Sequence, residues 1–201
     1  MLLDLLGSLT SLLSTYYFIR LDIKAWPVGL IATCINCLLY LQKGIYADMC
    51  LELFYFLSIG YGWYRWSSNT NQKSASLKKC SNKQWAYLCV ALFAIYTLIF
   101  SLLTTFTKST VPTLDSLTTS LSLTAQWLMC HKVTATWILW FFADAIYALM
   151  YLYKNLPFHT LLMLGYTAMA LIGYARWRNQ LKDNNTINRR PLDLKSGEPK
   201  A

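Results

Sequence analysis

Residues 26–66 and 137–177 are one segment written twice. Laid over each other at an offset of 111 without gaps, they agree at 13 of 41 positions. The matches include Trp26 with Trp137, Tyr40 with Tyr151, Lys43 with Lys154, Tyr55 with Tyr166, Gly62 with Gly173, Arg65 with Arg176 and Trp66 with Trp177. Shared hydrophobicity alone would not repeat these residues. As aromatic and basic anchors at helix ends they carry sidedness as well as composition. The chain must therefore fold into two equivalent halves.

Of 201 residues, 56% are hydrophobic and 13% charged, a balance that fits a polytopic membrane protein and not a soluble domain. In hydrocarbon the backbone must satisfy its own hydrogen bonds, so each apolar stretch of about 20 residues reads as a spanning helix. Seven spans can be drawn, at about 2–19, 25–42, 46–65, 85–105, 113–130, 136–153 and 158–176. The first is kept as a span: it lacks a basic leader and a small-residue cleavage site. Each repeat then holds three spans, with one between them to restore the side of the membrane. The expected fold is an all-α integral membrane protein of two parallel three-helix repeats and a linking helix, related by a pseudo-twofold axis along the membrane normal. By segment, 1–66 is the first repeat, 67–84 a basic cytoplasmic loop, 85–105 the linking helix, 106–177 the second repeat and 178–201 a disordered basic cytoplasmic tail.

The net charge of +9 has a topological reading. One set of loops, at 20–24, 65–84, 131–132 and from 176 on, holds fifteen Lys and Arg, and the opposite set holds Lys43, Lys108 and Lys154. Fifteen against three places the N-terminus outside and the C-terminus in the cytoplasm, with no nucleic-acid partner needed. An even number of spans would scramble that partition.

The chemistry concentrates where the repeats differ. Trp137, Trp140, Asp144, Tyr147 and Tyr151 follow i, i+3, i+7, i+10, i+14 and share one helix face. The first repeat has Trp26, Gly29, Thr33, Asn36 and Tyr40 at the same spacing. The ends agree and the middles differ, as an asymmetric solute on the axis would require. An ionisable side chain in a span costs about 2.5–3.5 kcal/mol and by default faces a cavity. Asp144 among aromatic rings suits a flat organic cation; the alternative is a hydrogen bond to Gln126 or a Thr of the fifth span that ties helices together. That span, with Ser116, Thr118, Thr119, Ser120, Ser122, Thr124 and Gln126, should turn toward a cavity or its neighbours. Glu52 reads as a second ligand, a proton site or an interhelical partner, and Gln126 as an amide reader or a packing residue. No metalloprotease, hydrolase or phosphate-loop signature occurs, and two histidines do not build a metal site. Neither an enzyme, a cofactor nor a metal is expected. Cys34 and Cys37 read as small packing residues.

Together Trp137-x-x-Trp140-x-x-x-Asp144, Ala125-Gln126-Trp127-Leu128, Trp26-Pro27-x-Gly29, the 39–48 stretch and the two aromatic-basic ends resemble the PnuC-type nicotinamide riboside transporters over nearly all of residues 1–178. The resemblance implies a fold similar to the SWEET sugar transporters, a homotrimer in the inner (plasma) membrane, facilitated diffusion, and trapping of the substrate by a cytoplasmic kinase. It implies a site at Trp137, Trp140 and Asp144, with Gln126, Asn36 and Tyr147 nearby. Trp26, Tyr40, Tyr151 and Glu52 join the candidate substrate-binding residues. Asp144 stands where the family pattern also allows asparagine, so thiamine is the alternative substrate. A seven-helix receptor or intramembrane enzyme is the reading from another class.

Overall fold

Each apolar stretch becomes a helix, and short polar turns separate them. In the computed structural model the described residues are 2–43, 46–68, 77–106, 111–153, 155 and 157–193. They form seven α-helices: α1 Leu2–Ile19, α2 Ala25–Lys43, α3 Tyr46–Ser68, α4 Asn82–Phe106, α5 Pro112–Cys130, α6 Thr136–Tyr153 and α7 Pro157–Asp193. Among the described residues α4, α6 and α7 qualify as membrane spans by length and hydropathy, and α1 and α2 hold shorter apolar stretches, Leu5–Ile19 and Ala25–Leu39. Helix α5 is more polar. Within α5, Ser116, Thr118 and Ser120 are fully buried, and their hydroxyls donate to carbonyls of their own helix. Most of its polarity is thus satisfied locally, and the small side chains let neighbours pack close.

The turn between the first and second helices is built alike in the two halves. Leu21 (φ 57°) and Lys132 (φ 55°) take the left-handed conformation that reverses the chain. Leu21 N–H donates to Phe18 O (3.0 Å) and Lys132 N–H to Met129 O (3.1 Å); Asp22 N–H donates to Tyr17 O (3.0 Å) and Val133 N–H to Leu128 O (3.1 Å). Every one of these pairs is offset by 111. Helices α1–α3 and α5–α7 pack as two bundles that meet through α3 with α5 and α1 with α7. The fold is therefore three helices, a linking helix and three helices.

A tryptophan cluster fastens the bundles together. Gly62 offers bare backbone to the Trp26 ring, and Gly173 does the same for Trp137, whose ring carbons lie 2.6 Å from where a Cβ would stand. Trp26 meets Trp66 edge-on at 5.2 Å, Trp137 meets Trp177 edge-on at 5.4 Å, and Trp66 and Trp177 approach to 6.5 Å across the boundary between the halves. The Trp177 indole N–H donates to Phe18 O (3.1 Å) of the other half. All four rings are buried.

Two segments differ from expectation. Helix α7 runs to Asp193, through much of the 178–201 tail whose polar composition predicted disorder. An established helix extends one residue at a time without a new nucleus, and no glycine or proline stands between Gly173 and Pro191. Leu181 also packs on the core. In the 67–84 loop, residues 77–80 are strapped to the α5–α6 turn: Lys78 N–H donates to Lys132 O (2.9 Å) and Thr134 N–H to Lys78 O (3.0 Å), with Leu77 and Cys80 buried. Helix α4 then starts early, because Ser81 and Gln84 cap it reciprocally.

The glycine-indole contacts predict that Gly173→Ala, which drives a methyl into the Trp137 ring, costs about 1–3 kcal/mol. Gly165→Ala, with open space at its Cβ, should leave the melting temperature in detergent unchanged or slightly raised.

Candidate functional site

A cavity of about 380 Å³ opens between the two bundles, within the size range of small-molecule sites. Its floor is the apolar side of the tryptophan cluster: Phe18, Ile59, Met129, Trp137 and Ala170 belong to both the lining and that core. The walls come from α1, α2, α3, α5, α6 and α7, and most lining positions occur as partners offset by 111. The cavity therefore straddles the pseudo-twofold axis.

Helix α6 brings the predicted stripe to one wall. Trp137, Trp140, Asp144, Tyr147 and Tyr151 all line the cavity, and Tyr147 and Tyr151 stack at 6.2 Å, 18° from parallel. Asp144 is 9% exposed. On the facing wall Gly29, Thr33 and Asn36 of α2 line the cavity together with Glu52 of α3. The Asn36 side-chain amide donates to Glu52 Oε1 at 3.2 Å. Gly7 of α1 makes this arrangement possible, since a Cβ there would fall on the Asn36 side-chain oxygen. Gln126 also lines the cavity; its Nε2 is buried and has no hydrogen-bond partner. Such a donor costs about 1–3 kcal/mol until something accepts from it.

Of the ten residues singled out by sequence, eight meet here. Trp26 does not. It is fully buried in the tryptophan cluster, edge-on to Phe18 at 4.8 Å as well as to Trp66, because Gly62 leaves a slot on α3 that its indole fills. The side chain of Tyr40 lies outside the described residues. Sequence reasoning missed the contribution of α1 (Ser11, Ser14, Thr15) and of the pair Tyr55 and Tyr166, which it placed at helix ends. Those tyrosines stand in the cavity wall together with Ser11 of α1 and Ser122 of α5. Tyr55 with Tyr166, and Ser11 with Ser122, are related by the offset of 111; hydroxyls on α1 and α5 at that spacing were the available signal.

The electrostatics of the cavity are one-sided. Two carboxylates line it, and among the described residues no Lys, Arg or His does. Beneath the floor the Lys132 Nζ lies 4.5 Å from the Trp66 ring centre; burial lowers its pKa from the usual lysine value. No cluster of three or more metal-ligating side chains occurs among the described residues. The arrangement can hold a flat cation against aromatic faces and a carboxylate, with amide and hydroxyl groups to fix its orientation.

Because Trp137 and Trp140 line the cavity while Trp127 faces outward (58% exposed), a pyridinium solute that enters should quench tryptophan emission through those two rings. Trp137→Phe and Trp140→Phe should each remove part of the quenching in a fluorescence titration, and Trp127→Phe should remove none.

Residues 1–179 match the profile of a family described as nicotinamide mononucleotide transporter. The nicotinamide riboside transporters PnuC of Escherichia coli (strain K12) and of Shigella flexneri are each 24% identical to this chain over 210 residues, covering 92% of it and 88% of the relative. A solved structure, described as the crystal structure of the vitamin B3 transporter PnuC, superposes with a TM-score of 0.76 at 22% identity, covering 90% of this chain and 82% of that one. At that identity the structural likeness is one of fold.

Proposed function

The chain belongs to the nicotinamide mononucleotide transporter family, and from that membership we propose that it carries nicotinamide riboside across the membrane by facilitated diffusion. The observation that carries the reading is Asp144 beside Trp137 and Trp140 in a cavity lined by no basic side chain among the described residues. Nicotinamide riboside is a pyridinium cation joined to a sugar. Its ring matches the aromatic wall, its charge matches Asp144, and its carboxamide oxygen can accept from the unpaired Gln126 amide. The mononucleotide adds a phosphate, which two carboxylates would repel without a cation to offset them. The riboside is therefore favoured over the mononucleotide of the family's description.

The pseudo-twofold frame supports alternating access, the two bundles rocking about the central cavity. The loop charges support a multi-pass inner-membrane protein with the N-terminus outside and the C-terminus, the 67–84 loop and the end of α7 in the cytoplasm. The tryptophan cluster then closes the cytoplasmic end. Retention falls to a cytoplasmic kinase, because a phosphorylated product meets the same repulsion on the way back. A C-terminal alkaline phosphatase fusion should be inactive in cells and a fluorescent-protein fusion bright; the reverse pattern would overturn the orientation.

Proteoliposomes of the purified chain should take up nicotinamide riboside and not the mononucleotide. Asp144→Ala should lower affinity about 10- to 100-fold, the loss expected for a bond to a charged group. Normal uptake by that variant would remove Asp144 from the site, and thiamine, which also carries a ring cation, tests in the same assay whether the site reads more than charge.

A further inference from the structure

The two walls of the cavity are chemically different at equivalent places. On α6 and α7 the sequence of positions is Trp140, Asp144, Tyr147 and Met163; on α2 and α3 the matching positions are Gly29, Thr33, Asn36 and Glu52, and all eight line the cavity. One wall offers flat rings with a carboxylate. The other has no ring at these positions and offers an amide and a carboxylate bonded to each other.

Packing alone does not call for an acid at position 52. Its counterpart Met163 occupies the same place in the other half, so a side chain of similar length without charge satisfies the packing. A carboxylate in a span carries a cost of about 2.5–3.5 kcal/mol relative to an apolar residue. Nor does a single ring cation call for two carboxylates, since Asp144 already stands among the aromatic rings that would hold it. Glu52, in the lining on the wall facing Asp144, can serve a different part of the ligand. An ionised carboxylate can only accept hydrogen bonds and has room for several donors; the organic partner that uses this most fully is a vicinal diol, as when an acidic residue takes the ribose hydroxyls of a dinucleotide.

Position along the axis agrees. Asn36, which holds Glu52, lies three residues beyond Thr33, the counterpart of Asp144, and so about 4.5 Å farther from the tryptophan floor. The two carboxylates thus sit at different heights on opposite walls, a separation suited to a ring and its attached sugar. Gly7 and Asn36 explain how Glu52 is aimed: the glycine admits the amide, and the amide takes one carboxylate oxygen. The buried, unpartnered Nε2 of Gln126 in the same cavity is an independent sign that a polar ligand completes this site.

We propose that Glu52, positioned by Asn36, is the sugar-recognition group of the cavity, accepting the vicinal hydroxyls of a ribosyl substrate while the α6 wall takes the ring cation. The inference rests on the riboside reading above and deepens it. Glu52 makes the site selective for a glycosylated cation over the bare ring, and Asn36 acts on that selectivity through Glu52.

The test compares nicotinamide riboside with N-methylnicotinamide, a pyridinium carboxamide without a sugar, each scored by its inhibition of labelled-riboside uptake and by calorimetric titration. The wild-type chain should prefer the riboside. Glu52→Met, which copies the counterpart residue, should cut riboside affinity about 10- to 100-fold and leave N-methylnicotinamide affinity unchanged, erasing the preference. Asp144→Ala should weaken both ligands together. Should Glu52→Met fail to reach the membrane, Asn36→Ala reads the same quantity and should reduce the preference without moving N-methylnicotinamide. A preference that survives these substitutions, or parallel loss of both ligands, overturns the assignment of Glu52. Failure of the wild-type chain to bind the riboside at all overturns the functional reading beneath it, and the two failures are told apart by the wild-type titration alone.

Discussion

Two indole rings lying on bare glycine backbone set the spacing of the whole molecule. Trp26 against Gly62 and Trp137 against Gly173 fix how closely the third helix of each bundle approaches the second. Trp66 and Trp177, continuing from those rings, meet at the boundary and join the bundles. In a bilayer the hydrophobic effect gives helices little reason to associate, so close packing and buried hydrogen bonds must do it. Large rigid rings seated where side chains are absent supply the contact area, and the Trp177 bond to Phe18 O fixes the register. The cavity exists because this packing is confined to one end.

Symmetry in the frame is a symmetry of contacts more than of residues. In the first half the Ser14 hydroxyl donates to Ala25 O at 2.8 Å; in the second the Thr136 hydroxyl donates to Ala125 O at 2.8 Å. Residues 14 and 125 are equivalent, as are 25 and 136, so the same junction is held by the same bond with the donor moved to the partner helix. The identities differ and the geometry does not. A gap-free overlay scores both positions as mismatches.

This explains what the sequence could and could not disclose. The repeat, the number of spans and the α6 stripe were legible because they rest on period, length and sided anchors, which a linear string records. Helix α1 as a cavity wall was not: its Ser11, Ser14 and Thr15 share no identity with Ser122's neighbourhood beyond the serine itself, and only the fold places them opposite Tyr166 and Asp144. Trp26 was misread because a stripe defines a face and not what fills it; Gly62, 36 residues away, decides that its ring is packed against α3 and kept out of the cavity. The continuation of α7 past the membrane was hidden by composition, since polar residues that could not start a helix can prolong one.

The positions where equivalence fails form a pattern of their own. Thr15 and Thr33 in the first half return their hydroxyls to carbonyls of their own helices. Their counterparts in the second half are Gln126, whose amide has no partner, and Asp144. In the opposite sense Glu52 of the first half faces Met163 of the second. At the helix junctions, residues that bind the chain itself are kept in pairs, in kind or by exchange of donor and acceptor. Asp144, Gln126 and Glu52, which break the pairing, share one cavity. A solute with distinct ends satisfies them, and a solute with twofold symmetry cannot. The asymmetry of the ligand is thus written in the failures of an otherwise symmetric frame.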